Sequence, residues 1–331
     1  MRSQYIPNEK RYDKMIYNKI PKSGLKLPAI SLGFWHNFGT GTPLEKQQEI
    51  VRGAFDMGIT HFDLANNYGP TYGAAEENFG RIFAEDLKAY RDELIISSKA
   101  GYDMWQGPYG DGGSLKYLVS SCDQSLQRLG LDYVDIFYSH RRDMETPLEE
   151  TATALDKIYR DGKTLYVGVS NYSAQDTEKM AELLADLKTP FIIHQPNYSM
   201  LNREIEAELK PSLTKLGLGG IAFSPLAQGI LTNRYLTDIP EDSRANSSSQ
   251  FLNEERVQQN IIKVRKLNEI AVRRGQTIAE LAIAWLLRDG VITSVLVGAS
   301  RLSQLQDNVK ALDNLTFSTA ELAEIDAILL K

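Results

Sequence analysis

The chain has 331 residues, 42% hydrophobic and 24% charged, the composition of an ordinary soluble globular protein. A net charge of −6 and a single cysteine, Cys122, argue against nucleic acid or an anionic membrane as partner and exclude an intrachain disulfide. The sequence contains no run long enough for a transmembrane helix, and Met1-Arg2-Ser3-Gln4-Tyr5-Ile6-Pro7 lacks the apolar centre of a signal peptide, so a reducing, cytoplasmic setting is expected.

Residues 15–28 read as a hairpin turning near Lys22-Ser23-Gly24. Ala29-Ile30-Ser31-Leu32-Gly33 is a first barrel strand. A helix over 44–58 sets Gln47, Ile50, Val51, Ala54 and Phe55 on one stripe and stops at Gly58. Strand two covers 60–63, a helix follows over 74–83, and strand three ends near Lys99. Ser114 caps a helix that reaches Leu129 and stops at Gly130. Cys122 lies in that helix with no base beside it, which makes it a poor nucleophile. Strand four is 134–139. Thr146 reads as an N-cap with Pro147 at the first helical position, and that helix ends near Asp161-Gly162.

Strand five covers 164–170, and Ser173 opens a helix to about 187. Strand six is 191–195, and 201–216 reads as helical with a break at Pro211. Strand seven is 220–224. A long connection follows, its polar patch at 243–250 reading as a mobile loop. Helices near 253–274 and 277–287 lead to strand eight at 293–298, and helices near 303–312 and 319–330 finish the chain.

Strands alternating with helices imply parallel pairing, because a parallel neighbour needs a crossover. The expected architecture is one α/β domain over 1–331, a (β/α)8 TIM barrel with an N-terminal hairpin and extra C-terminal helices. A doubly wound sheet is the runner-up. Its usual Gly-x-Gly-x-x-Gly is absent after the first strand, which reads Gly33-Phe34-Trp35-His36-Asn37-Phe38-Gly39.

The second strand and its turn read Thr60-His61-Phe62-Asp63-Leu64-Ala65-Asn66-Asn67-Tyr68-Gly69, and the third ends Ile95-Ile96-Ser97-Ser98-Lys99. Tyrosine is a poor acid at neutral pH, and a nearby ammonium stabilises its phenolate. Asp63 can hold Lys99 charged, Lys99 is expected to lower the pKa of Tyr68, and Tyr68 can then give a proton to a carbonyl oxygen. These three residues alone also fit a solvated ion pair beside a half-buried tyrosine. Strand four, Asp135-Ile136-Phe137-Tyr138-Ser139-His140, brings a histidine to the same end.

Asp63, Tyr68, Lys99 and His140 together resemble the catalytic tetrad of the aldo-keto reductase superfamily in type, order and spacing. The resemblance implies a nicotinamide cofactor, with Ser170, Asn171 and Gln195 on its amide, Phe223 stacked on its ring and Trp35 beside it. Ser224, Pro225, Leu226, Gln228 and Gly229 would follow the pyrophosphate, and Arg234 and Arg244 would clamp phosphates. The Gly298-Ala299-Ser300-Arg301 strand end, with Gln304, Asp307 and Asn308, would hold the adenosine, with Arg301 on a 2′-phosphate that favours NADP(H). Many members carry Lys-Ser at the Gly298 and Ala299 positions, which leaves Arg301 as the cation here. Trp35 and Trp105 would wall a pocket for a small carbonyl substrate.

Asp63 to Pro70, Lys99-Ala100-Gly101-Tyr102-Asp103-Met104-Trp105 and Tyr138-Ser139-His140-Arg141 look like the bacterial L-glyceraldehyde 3-phosphate reductase group. More distantly, the chain resembles the β subunits of voltage-gated potassium channels, many of which carry Asn at the His140 position. The implied activity is NADPH-dependent reduction of small aldehydes, L-glyceraldehyde 3-phosphate or methylglyoxal, with Tyr68 as proton donor. A tetramer or octamer is implied as well. Arg141 would bring positive charge to the pocket mouth, unless Arg141 and Arg142 are solvated loop residues paired with Asp143 and Glu145. Two other readings stay open, an NADPH-bound regulatory subunit with little turnover and a Schiff-base aldolase using Lys99.

Overall fold

The computed structural model describes residues 5–236 and 254–330. Strands β1 (Tyr17–Lys19) and β2 (Lys26–Pro28) form an antiparallel hairpin that pairs Tyr17 with Pro28 and Lys19 with Lys26. The body then alternates β3 (Ile30–Gly33), α1 (Leu44–Asp56), β4 (His61–Asp63), α2 (Ala74–Ile82), β5 (Ile95–Ala100) and α3 (Leu115–Leu129). It continues through β6 (Val134–Ser139), α4 (Leu148–Arg160), β7 (Thr164–Ser170), α5 (Ala174–Asp186), β8 (Phe191–Gln195), α6 (Leu209–Leu216) and β9 (Gly219–Ala222). Helices α7 (Glu254–Arg273) and α8 (Ile278–Leu287), strand β10 (Ile292–Val297) and helices α9 (Leu302–Val309) and α10 (Thr319–Leu329) complete it. Strands β3 to β10 pair in parallel in chain order, and β10 returns to β3, so the eight close into the expected barrel.

Alternation along each strand divides the buried residues between two layers. On β4, Phe62 faces out and packs against Phe79 of α2 with ring centres 5.3 Å apart, which turns His61 and Asp63 into the barrel. On β5, Ser98 faces out and donates to Glu76 of α2 at 2.5 Å, which turns Ser97 and Lys99 inward. Glu76, fully buried, also accepts from Arg128 of α3 at 2.7 Å. This ion pair ties two helices to the back of the strand that carries Lys99. A second cluster inside the barrel joins Ile136, Tyr138, Ile193, Ile221 and Leu296 to Ile20 and Leu27 of the hairpin, so the hairpin plugs the barrel's lower end.

The capping signals place most helix ends. The Ser114 hydroxyl accepts from Tyr117 N, and Gly130 ends α3 in the left-handed region at φ 67°. Two details differ from the sequence reading. Pro147 is itself the N-cap of α4, and Thr146 donates its hydroxyl to Asp143 instead of capping. Pro211 lies in the first turn of α6, where its missing N–H costs no helical bond, so the break falls before it at Ala207 and Glu208. The helix expected over 74–83 continues past Ile82 as a π turn, Phe83–Leu87, and a 3-10 segment, Lys88–Glu93. Among the described residues, no helix is long and apolar enough to cross a membrane. Arg244 and the 243–250 patch lie outside the described residues.

Gly168 of β7 pairs with Tyr138 of β6, and a Cβ there would lie 2.6 Å from two Tyr138 ring carbons and 2.7 Å from Ile193. Gly168→Ala should therefore lower unfolding stability in urea by about 1–3 kcal/mol. Adding Tyr138→Leu should recover part of the loss. Parental stability in the single variant would mean the contact has slack.

Candidate active site

The carboxyl ends of β4, β5 and β6 bring Asp63, Lys99 and His140 to one end of the barrel, where a parallel barrel carries its chemistry. Backbone pairing extends beyond the short β4 strand, with Leu64 N donating to Ser97 O and Asn66 N to Lys99 O, both at 2.9 Å. The chain then turns sharply, and Gly69 at φ 86° donates to Trp35 O at 3.1 Å. A Cβ on Gly69 would meet Ala75 N at 2.9 Å, so the turn that sets Tyr68 over the strand ends needs glycine.

Lys99 is fully buried, and its Nζ lies 2.5 Å from Asp63 Oδ2, 2.7 Å from Leu64 O and 3.5 Å from the Tyr68 hydroxyl. Three directions for three N–H bonds are what an ammonium provides. Burial pulls the Lys99 pKa down, and Asp63 opposes that shift. Asp63 Oδ1 accepts from Ser97 Oγ at 2.7 Å and from Gln195 Nε2 at 3.1 Å, so the carboxylate is met by three donors.

Tyr68 differs from the sequence expectation. Burial, reinforced by the Asp63 charge, pushes its phenol well above the usual value. Lys99 is turned first toward Asp63 and Leu64, and its distance to Tyr68 is at the limit of a hydrogen bond. The phenol is therefore shifted away from acidity, opposite to the expected direction. His140 stands edge-on to Tyr68 with ring centres 5.7 Å apart. Burial and the Lys99 and Arg141 charges depress its pKa well below 6.5, so the imidazole is neutral, and its Nδ1 has no hydrogen-bond partner among the described residues.

The residues expected at a cofactor lie at the ends of β7, β8, β9 and β10. Ser170 donates to Gln195 O at 2.8 Å, and Asn171, left-handed at φ 56°, donates to His140 O at 3.0 Å. Phe223 is half-buried just past β9, bridged to Asn197. Ser224, Ala227 and Gln228 all have positive φ, an unusual concentration of constrained backbone around Pro225 and Leu226, and Gly229 follows at φ 97°. Ser300 N and Oγ both donate to Gln304 Oε1, at 2.9 and 3.1 Å, beside exposed Arg301, the N-cap of α9. Gly298 has open space around it, Asn308 is buried, and Asp307 is exposed and paired with Lys310. Arg234 is exposed in a short turn after β9.

At the mouth, Trp35 stacks on His36 with centres 3.9 Å apart, and Trp105 packs on Tyr117 at 5.1 Å. Arg141 donates to Gly101 O at 2.7 Å and to both Asp111 oxygens at 2.8 and 2.9 Å. Its guanidinium lies 4.7 Å over the Tyr102 ring, which stands edge-on to His140 at 4.8 Å. Arg142 turns elsewhere, to the carbonyls of Asp143 and Thr146 and the Asp176 carboxylate. Their carboxylate partners are thus Asp111 and Asp176, not Asp143 and Glu145.

The sequence reading passed over Ser97, His61 and Tyr138. Ser97 lies beside Asp63 in register, two residues before Lys99, so period-two alternation carried the signal. The Tyr138 hydroxyl is buried inside the barrel near Gln195, with no hydrogen bond of ordinary length among the described residues, which no local pattern announces.

Residues 29–330 match the model of the Aldo/keto reductase family. The chain belongs to the aldo/keto reductase family. It is 59% identical over 327 residues to the L-glyceraldehyde 3-phosphate reductase of Escherichia coli O157:H7, covering 97% of this chain and 94% of that protein. Identity to the protein of the same name in Escherichia coli strain K12 is 58% over the same shares. A probable voltage-gated potassium channel subunit beta of Arabidopsis thaliana is 38% identical over 90% of this chain and 92% of its own length. As an aldo/keto reductase the chain is an oxidoreductase, and aldo/keto reductases generally use NAD(P)H.

His61 and His194 are fully buried, and burial depresses each from 6.5 to about 4. Neutral in the fold and protonated when unfolded, they make the unfolded chain bind more protons below pH 6.5, so stability falls as pH drops toward 4. Urea unfolding between pH 6.5 and 5 should approach a slope of about 1.4 kcal/mol per pH unit for each such histidine. Among the described residues neither His194 ring nitrogen makes a hydrogen bond of ordinary length, only a weak contact with the Tyr172 backbone, so His194→Leu should fold and reduce that slope by about one histidine's share. An unchanged slope would show that His194 protonates within the fold.

Proposed function

We propose that this aldo/keto reductase uses NADPH to reduce small aldehydes, with L-glyceraldehyde 3-phosphate the favoured substrate and methylglyoxal a second candidate. The observation that carries the reading is the meeting of the Asp63–Lys99 pair, a protonated Tyr68 and a neutral His140 at one end of the barrel. The two Escherichia coli relatives supply the substrate suggestion.

The donor set suits a nicotinamide cofactor. Gln195 is pinned at Asp63, Ser170 and Asn171 offer a hydroxyl and an amide, and Phe223 offers a ring face. The left-handed backbone at Ser224, Ala227 and Gln228 is the kind of constrained turn that lets main chain approach a pyrophosphate. Arg301 and Ser300 fit the 2′-phosphate of NADPH. When bound, the nicotinamide supplies the hydride.

The protein's part is charge and protons. His140, being neutral, has one N–H to give the carbonyl oxygen and adds no competing positive charge beside Lys99. Tyr68 keeps its proton until the oxygen gains negative charge, then delivers it. The phenolate left behind lies 3.5 Å from the Lys99 ammonium, which stabilises it at the moment it forms. Asp63 holds Lys99 charged through this step. Burial around the site strengthens each of these interactions.

Tyr68→Phe should lower kcat for aldehyde reduction at least a hundredfold and leave NADPH binding, read by fluorescence titration, within twofold. Activity within tenfold of the parent would remove the proton-donor role.

Arg301→Ala should weaken NADPH more than NADH by about 1.5–3 kcal/mol, the worth of a charge-assisted hydrogen bond. Equal losses for the two cofactors would mean that Arg301 does not read the phosphate.

Arg141 carries the phosphate preference in this reading, since its side chain stacks on Tyr102 beside His140. kcat/KM should favour glyceraldehyde 3-phosphate over glyceraldehyde at least tenfold, about 1.4 kcal/mol. Arg141→Ala should erase that margin, whereas Asp111→Ala, which releases Arg141 from its carboxylate, should widen it. Equal use of both substrates by the parent would make the chain a general aldehyde reductase.

A further inference from the structure

Behind the ion pair runs a line of polar side chains with no part in the proton transfer described above. Ser294 Oγ lies 2.6 Å from Ser31 Oγ, Ser31 Oγ lies 2.8 Å from His61 Nδ1, and His61 Nε2 lies 3.0 Å from Ser97 Oγ. Ser97 Oγ then meets Asp63 Oδ1 at 2.7 Å. The four side chains before Asp63 are fully buried, and they come from β10, β3, β4 and β5. Such a line inside a barrel is costly unless every member is satisfied.

The carboxylate fixes the direction of the whole line. An ionised Asp63 only accepts, so Ser97 must spend its single hydrogen on Asp63. Ser97 Oγ therefore accepts from His61, which places the imidazole hydrogen on Nε2. A neutral imidazole then has a bare Nδ1, so Ser31 donates to His61 and Ser294 donates to Ser31. Burial depresses His61 to about 4, which keeps the ring neutral at physiological pH.

We propose that His61 is a positioning residue for the reduction, held as the Nε2–H tautomer so that Ser97 donates to Asp63 and Asp63 holds Lys99 in line with Tyr68. The opposite tautomer would take the Ser97 hydrogen for Nε2 and leave Gln195 as the remaining donor to Asp63 Oδ1. Hydrogens in this line are oriented, not transferred. Ser294 is fully buried, so the line ends inside the barrel instead of reaching solvent.

The chain has four histidines, His36, His61, His140 and His194, so imidazole 15N spectra of histidine-labelled protein are tractable. His61→Gln identifies the His61 signals by their loss. At pH 7 the His61 ring should show a protonated Nε2 and a bare Nδ1, and a protonated Nδ1 overturns the proposal. The kinetic arm rests on the reduction proposed above. His61→Leu should lower kcat at least fivefold, with NADPH affinity within twofold. His61→Gln, whose amide N–H falls near the Nε2 position, should recover kcat to within twofold of the parent. A leucine variant with parental kcat, or a glutamine variant as slow as the leucine one, also overturns it. If His61→Leu does not fold, Ser97→Ala replaces it, with the same expected loss of kcat and the same overturning result. The tautomer is read on resting protein, so failure to reduce any aldehyde counts against the function and leaves that arm standing.

Discussion

A lysine and an aspartate shut inside the barrel are the constraint around which this structure is arranged. Removing either charge from water costs several kcal/mol, and an unpaired one left behind costs about 3–5 kcal/mol. The Asp63–Lys99 pair is tolerable because nearly every lone pair and N–H is engaged, by Ser97, Gln195, Leu64 O and Tyr68. Those partners come from β4 and its turn, β5 and β8, so the pair also fixes how the strand ends sit relative to one another. Meeting the pair's hydrogen-bonding demand and building the candidate active site are the same act of folding.

The interior is divided accordingly. Ser31, His61, Asp63, Ser97, Lys99 and Ser294 give polar groups to the side built from β10, β3, β4 and β5. Ile136, Tyr138, Ile193 and Ile221 fill the side built from β6, β8 and β9, and Leu296 of β10 joins them. Gly168 of β7 leaves room there for the Tyr138 ring. A polar wedge this well connected is stable only as a whole, since a half-satisfied network is worse than an apolar core.

Much of this was legible in the sequence. The strand-then-helix alternation, the caps at Ser114 and Gly130 and the polar ends at Asp63, Lys99 and His140 are local signals, and the barrel follows from them. What stayed hidden depends on distance in space. The rise in the Tyr68 pKa follows from the partial burial of the phenol, from the Asp63 charge and from Lys99 choosing Asp63 first, none of which spacing reveals. The pairing of Arg141 with Asp111 joins residues 30 positions apart across two loops. The first turn of α6 tolerated Pro211 because helix starts leave N–H groups unused, so a proline alone could not locate the break.

The hairpin plug has a consequence for traffic. Ile20 and Leu27 close the lower end of the barrel, and Asn18 and Lys22 fasten the hairpin to Thr293 O and Gly217 O. Among the described residues, the hairpin thus covers the end of the barrel opposite to Asp63, Lys99 and His140. On the proposed reading, substrate and product therefore use the other end, beside the loops that Arg141 and Asp111 clip together. If Tyr68 gives up its proton there as proposed, with the hairpin covering the far end its replacement comes from the side by which the product leaves.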